Sequence, residues 1–213
     1  MAQQDMLAAA HAAVKTALGK GAQEASARTY RVREVNVKWR DGKLEQIHEA
    51  TTRGLGLTLY VDGRYSNVST SDLRPEALDT FIGDSVVLTR ALAKDPFRTL
   101  PDPKLYEGQS KVDLLLEDPK YSTVTAEQRR AVAKEIEAAA RSVRGAEAIL
   151  SVTSNFSDTL SETWRVTSNG FSGARRDTSF FISAEASVKD PDGRKPEDYA
   201  YGCLLYTSPS PRD

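Results

Sequence analysis

His48-Glu49 is the pair in this 213-residue chain that comes nearest to a hydrolytic motif. A zinc-protease helix needs a second histidine four positions on, with the glutamate between them as base. Four after His48 stands Thr52, and Arg53 follows it. The segment also reads as a strand, where successive side chains diverge. His48 and Glu49 are therefore expected as a solvent-facing pair, with Glu49 bridging to Arg53. His11, the other histidine, lies among alanines of a helix and is expected at its surface. The single cysteine, Cys203, sits near the end of the chain, and no G-x-S-x-G string occurs, so no nucleophile constellation is expected. Gly54-x-Gly56 is too short for a dinucleotide fingerprint and precedes a strand instead of a helix. Its expected job is a backbone corner or the close approach of another strand. No catalytic residue, metal ligand or cofactor contact is assigned to any of these groups.

The remaining candidates are cations and aromatics. Arg175-Arg176 follows Gly173 and could hold a carboxylate or a peptide terminus, since guanidinium groups pair with carboxylates through two parallel hydrogen bonds. The plainer reading is a pair of solvated arginines at a strand end. Arg53, Arg175 and Arg176 are the residues put forward for peptide or partner contact. Tyr60, Trp39 and Trp164 are expected to pack in a core or on a sheet face before serving recognition. Exposed strand edges would offer extended peptides main-chain hydrogen bonds.

These groups must be positioned by the elements around them. Helix one is expected over Gln3 to Leu18, with Met6, Leu7, Ala10, Val14, Ala17 and Leu18 inward. Tyr30 and Val32 are followed by Val35, Val37 and Trp39 in the opposite phase, which predicts a bulge near Arg33-Glu34. Asp41-Gly42 turns the chain into a strand from Lys43 to Thr51. After the glycine corner, Leu55, Leu57, Leu59 and Val61 alternate with Gly56, Thr58 and Tyr60. Asp62-Gly63 then suits a two-residue hairpin turn, and Arg64 to Thr70 returns as an exposed strand. Asp72 offers an N-cap and Pro75 a first-turn residue. Helix two is expected from Pro75 to Lys94, with Leu78, Phe81, Ile82, Val86, Thr89 and Leu92 inward. Helices one and two should cover one face of a four-stranded, mostly antiparallel sheet.

Pro96, Pro101 and Pro103 mark a semi-rigid linker over residues 96–110. Beyond it, Thr125 and Gln128 form a capping box that opens helix three. Its inward stripe reads Val132, Ala133, Ile136, Ala139, Ala140 and Val143, and Gly145 stops it. Three strands come next, from Ile149 to Phe156, Glu162 to Ser168 and Phe180 to Val188, with a turn at Asn169-Gly170 and a loop over Asp190 to Pro196. A last strand is expected to break off at Tyr199 to Gly202. The expected fold is α+β: an antiparallel sheet with two covering helices over residues 1–95, the linker, then a second, incomplete helix-plus-sheet unit over residues 111–202. Residues 203–213, CLLYTSPSPRD, match the translation of a transposase adapter used in sequencing libraries. They are expected to be non-native and to pack poorly.

Charged residues make up 28% of the chain, yet both signs are interspersed and the net charge is −1. That predicts no field for direct nucleic-acid binding or an anionic membrane. No apolar run nears the ~20 residues of a membrane helix, and the N-terminus lacks a signal peptide's basic region. A cytoplasmic location is the simplest expectation. Outside the suspect tail there is no cysteine, so neither disulfides nor thiolate metal sites are expected there.

The string GLGLTLYVDGRYSNVSTSDLRPEAL resembles the N-terminal signature of the TldD/PmbA family. Asp95-Pro96, Leu100-Pro101-Asp102-Pro103, Asp113-Leu114, Asp118-Pro119 and Ser168-Asn169-Gly170-Phe171 succeed it in order, so the resemblance runs from about Ala22 to Gly202. The family comprises bacterial and archaeal proteins described as metallopeptidases or as modulators of DNA gyrase. The resemblance implies pairing of TldD-type and TldE-type (PmbA) chains into a complex that degrades or trims peptides. TldD-type chains carry a histidine-glutamate-xxx-histidine zinc motif in their second half; TldE-type chains lack it. The subtype stays open here, with the general look on the TldE side. The family likeness thus implies a non-catalytic fragment providing scaffold, contacts to a TldD-type partner subunit and peptide guidance. Zinc is expected only in a complete TldD-type chain or in the partner. The alternative implied is a non-enzymatic interaction or regulatory module, for instance of gyrase.

Overall fold

The computed structural model describes residues 3–108 and 112–204, without the side chains of residues 3, 4 and 204. In chain order the main elements are α1 (Gln3–Gly19), β1 (Glu24–Arg40), β2 (Lys43–Val61), β3 (Arg64–Thr70), α2 (Pro75–Arg90), α3 (Ala126–Arg141), β4 (Ile149–Thr167), β5 (Ser172–Val188) and β6 (Glu197–Leu204). The strands form one antiparallel sheet in the order β3-β2-β1-β4-β5-β6. The class is α+β, as expected. By contact the chain divides into two compact units. One gathers the described residues of Met1–Val32, Thr52–Val112 and Ser161–Arg175; the other gathers those of Arg33–Thr51, Asp113–Leu160 and Arg176–Asp213.

In the first unit, α1 and α2 cover one sheet face. Ala10, Val14 and Ala17 of α1 and Leu78, Ile82 and Val86 of α2 pack on Ala25 and Ala27 of β1 and Leu55, Leu57, Leu59 and Val61 of β2. Period two on the strands and period 3.6 on the helices bring these residues to one core. At the β2–β3 turn Asp62 and Gly63 both take positive φ, 52° and 73°, as a two-residue type I′ turn requires. α2 starts at Pro75 as expected, but Arg74 is the N-cap and gives no side-chain cap. Asp72 instead accepts hydrogen bonds from the Arg74 guanidinium and then the Arg74 backbone N–H, which hold its carboxyl down at about 2. α2 ends four residues earlier than expected, and Leu92 lies beyond it, exposed.

In the second unit, α3 begins at Thr125 with both halves of the capping box made. Its buried line differs from the expected apolar stripe. Arg129, Ala133 and Glu137 face inward, while Val143 is 57% exposed. The two charges are tolerated because each has a partner. Val37, Tyr121, Ala133, Phe156, Leu160 and Phe180 form the apolar core around them. Among the described residues, the buried indole N–H of Trp39 has no hydrogen-bond partner.

The strands depart from expectation at several places. The bulge near Arg33-Glu34 has no counterpart in the burial: Ala25, Ala27, Thr29, Val35 and Val37 keep one parity. Tyr30 and Val32 are half-buried at the other parity, so they mimicked a phase change. Lys43–Val61 is one strand without a corner at Gly54, so the opening meander has three strands, not four. Gly54 serves close approach instead: a Cβ there would stand 2.7 Å from the Tyr30 hydroxyl and 2.9 Å from the Thr70 carbonyl. Ile149–Thr167 is likewise one strand where two were expected. Its even positions, from Val152 to Val166, are all buried, Asp158 and Glu162 included. β6 reaches Leu204, with Cys203 and Leu204 opposite Phe181 and Phe180. That is two residues past the expected break, since a ladder of backbone hydrogen bonds does not depend on side-chain identity. Residues 205–213 of the expected tail lie outside the described residues.

Candidate functional site

His11 and His48 are the chain's two histidines, the residue type a zinc site would draw on. His48 is exposed on β2, as expected of a solvent-facing pair. Its neighbour Glu49 does not reach Arg53. It accepts from the Arg33 guanidinium at 2.7 and 3.0 Å, because Arg33 lies across the ladder on β1. His11 is exposed on α1, with Nε2 3.5 Å from the Ser172 hydroxyl. Among the described residues, no three or more His, Cys, Asp or Glu side chains gather as a metal would need. The zinc of metallopeptidase chemistry therefore does not fit the residues described.

The most buried charge among the described residues, Asp158, centres a network in the second unit. Asp158, 1% exposed, accepts from the Arg129 guanidinium and from the Tyr121 hydroxyl at 2.7 Å. Arg129 also donates to the Val124 carbonyl at 2.8 Å, and Arg33 donates to the Tyr121 hydroxyl at 3.2 Å. Burial, then the hydrogen bond to Asp158, pushes the Tyr121 phenol up to about 12. The pair is closed off by its own partners, which suits holding α3 on the sheet. At the other end of α3, Glu137 accepts the Gly42 N–H with both carboxylate oxygens and Arg141 reaches Asp41 at 2.6 Å. The Val152 N–H, then the Ser151 hydroxyl and Arg141, draw the Asp41 carboxyl below its ordinary value.

The three arginines put forward from sequence fall in different places. Arg53 lines a groove of about 1090 Å³ between α1 and α2, whose walls include Ala8, Ala12, Leu78 and Asp72. Arg176 pairs with Glu117 at 3.2 Å. Arg175 opens onto a cleft on the sheet face opposite α1 and α2, in the first unit.

That cleft gathers aromatic rings and an arginine on one sheet face. Tyr60 and Thr58 of β2 stand directly across from Tyr65 and Asn67 of β3, on the side away from Leu57 and Leu59. The turn Asp62-Gly63 sets that register, and the rings meet at 5.5 Å. Arg165 of β4 faces the same side because Trp164 and Val166 point inward. The roof is the chain around Leu100 and Pro101, tied down where the Glu24 carboxylate accepts the Leu100 N–H at 3.1 Å and the Thr99 hydroxyl at 3.0 Å. Asn169, in the β4–β5 turn, donates to the Pro101 carbonyl at 2.7 Å. Phe171 lies back over Gly173, where a Cβ would meet its ring at 2.9 Å, and stacks tilted on Tyr106 at 5.1 Å. The two adjoining parts of the cleft measure about 390 and 480 Å³ and share Tyr106, Arg165 and Phe171. Burial, then Tyr65, raises the Tyr60 phenol, with Arg98 and Arg165 opposing. Sequence reading put Arg175 forward and passed over Arg165. Alternation from Glu162 to Val166 sends Arg165 to the outward face, but its place beside the Tyr60–Tyr65 pair needs the strand order.

Residues 25–88 match the family model described as PmbA/TldA metallopeptidase domain 1, and residues 119–211 match the PmbA/TldA metallopeptidase central domain. The chain belongs to the PmbA/TldD family. Among solved structures it is similar to one described as a modulator of DNA gyrase from Bacteroides thetaiotaomicron VPI-5482. The identity is 33% and the TM-score 0.89, covering 97% of this chain and 46% of that one. A protein of the same description from Thermotoga maritima MSB8 shares the fold at 16% identity and TM-score 0.65, over 86% and 40% of the two chains. TldE from Thermococcus kodakarensis shares it at 12% identity and TM-score 0.70, over 92% and 43%. The chain thus spans about half the length of these relatives. The second family match runs through residues 203–211, the stretch read from sequence as non-native. No curated protein matches the chain. Among the described residues no helix is long and apolar enough to cross a membrane.

Proposed function

We propose that the chain is a non-catalytic part of a cytoplasmic, peptide-degrading metallopeptidase complex, in which a TldD-type partner subunit holds the zinc. Its own contribution is scaffold, partner contact and guidance of peptide substrates. The observation that carries this reading is the ordered match to two successive metallopeptidase domains. The donor chemistry supports the non-catalytic part: among the described residues neither His11 nor His48 belongs to a group of three or more His, Cys, Asp or Glu side chains that could hold a metal. The net charge of −1 argues for partners other than nucleic acid.

The test is co-expression of this chain, tagged, with a TldD-type chain of the same genome. Co-elution in fixed ratio, zinc carried by the partner and peptide cleavage only by the pair are expected. Stoichiometric zinc and cleavage by this chain alone would sink the proposal. A second reading, a non-enzymatic module acting on another protein, draws on the description of two solved relatives as modulators of DNA gyrase. Capture of purified gyrase by this chain, with no TldD-type partner present, would favour it.

A further inference from the structure

We propose that the cleft around Arg165 binds the free C-terminal carboxylate of a peptide, with the terminal side chain lodged among the rings of Tyr60, Tyr65, Tyr106 and Phe171. The identity of the anion's carrier, a peptide, rests on the peptide-handling reading above; the anion site itself does not.

Arg165 is the group that would hold the anion. It is exposed on β4, lines both parts of the cleft, and among the described residues makes no hydrogen bond or ion pair. A guanidinium offers a planar fork of donors that matches two carboxylate oxygens. Several other cations of the first unit have carboxylates of their own: Lys20 has Asp79, Arg74 has Asp72, and Arg90 has Asp62. Arg165 has no ion-pair partner among the described residues and lies in a concave site, with Thr163 beside it to donate a hydroxyl hydrogen; the Thr167 hydroxyl is committed to Asn169. Arg175 adds a second positive charge at the open end.

The walls choose among anions. Inorganic phosphate needs cations and donors on all sides, but four aromatic rings with Leu100 and Pro101 make up much of this lining. The Glu24 carboxylate at the roof also lowers the positive charge of the site, which matches a monoanion better than a dianion. A carboxylate attached to an apolar or aromatic side chain uses both halves of the cleft. Gly173 is part of the design, because only a residue without Cβ lets Phe171 lie in this wall.

The experiment uses the whole chain and an N-terminally labelled peptide ending in leucine, as free acid and as C-terminal amide, read by fluorescence anisotropy. The free acid is expected to bind at least about tenfold more tightly than the amide. Arg165→Gln should abolish that preference without lowering the melting temperature, since Arg165 supports no other group; Arg165→Lys should keep a part of it. Equal binding of acid and amide, a preference unchanged in Arg165→Gln, or no binding would overturn the proposal. So would displacement of the peptide by inorganic phosphate at lower concentration than by unlabelled free acid. These readouts need no partner subunit. Failure here leaves the co-elution test standing, and failure of co-elution leaves the acid-over-amide preference to be measured.

Discussion

Asp158 is the residue on which the second unit turns, because three hydrogen bonds, two from Arg129 and one from Tyr121, converge on one carboxylate that water does not reach. Removing one partner of such a pair costs more than the pair itself contributes, since the other charge stays buried and unpaired. Asp158→Asn is expected to lose roughly 3–5 kcal/mol of stability, measured by urea denaturation. The apolar double replacement Arg129→Met with Asp158→Leu should recover most of that loss. Tyr121 adds a pH dependence whose sign comes from its raised phenol. The folded state keeps the proton up to about 12, whereas the unfolded chain releases it near ~10. Stability from this group is thus complete below the unfolded value and drains away as pH climbs from about 10 toward 12. Tyr121→Phe should show a shallower alkaline decline in melting experiments than the parent chain.

Among the elements, the turns and the cap of α3 were readable, while the cap read at Asp72 falls on Arg74 and the strand lengths were not legible. Asp41-Gly42, Asp62-Gly63 and Asn169-Gly170 fall where the chain reverses, because few dipeptides tolerate positive φ. Thr125 and Gln128 were equally legible, and Thr125→Ala should cost about 1 kcal/mol. Faster amide exchange at Gln128, whose N–H loses its acceptor, is the local check. By contrast, Ser157 to Ser161 looked like a break because the stretch is polar. It continues β4, since Arg129 waits across from Asp158 to satisfy it. The buried line of α3 was missed for the same reason. A hydrophobic pattern cannot register a charge whose partner lies far along the chain, so Arg129 and Glu137 were not among the residues expected inward.

For the molecule as a whole, family and fold class were legible in one string of residues and in the alternation of the strands. Candidate site residues were legible only in part. Arg175 borders the cleft and Arg53 the groove between α1 and α2, but Arg176 is engaged by Glu117. Arg165 became visible only when β1 to β5 were set side by side, because a binding surface on a sheet is written across strands, one residue from each. Pairing is what the sequence alone leaves open: it states which residues share a face of one strand, not which strand lies next door.

The grip of α3 on the tip of the β1–β2 hairpin carries a consequence for how this polypeptide wears. Hairpin tips are customary entry points for proteases, whose active sites need several residues of loose, extended chain. At Asp41-Gly42 the amide is already claimed by Glu137 and the carboxylate by Arg141 and Val152. Digestion must wait for the helix to lift, so the most exposed corner of that ribbon is guarded by residues almost a hundred positions downstream.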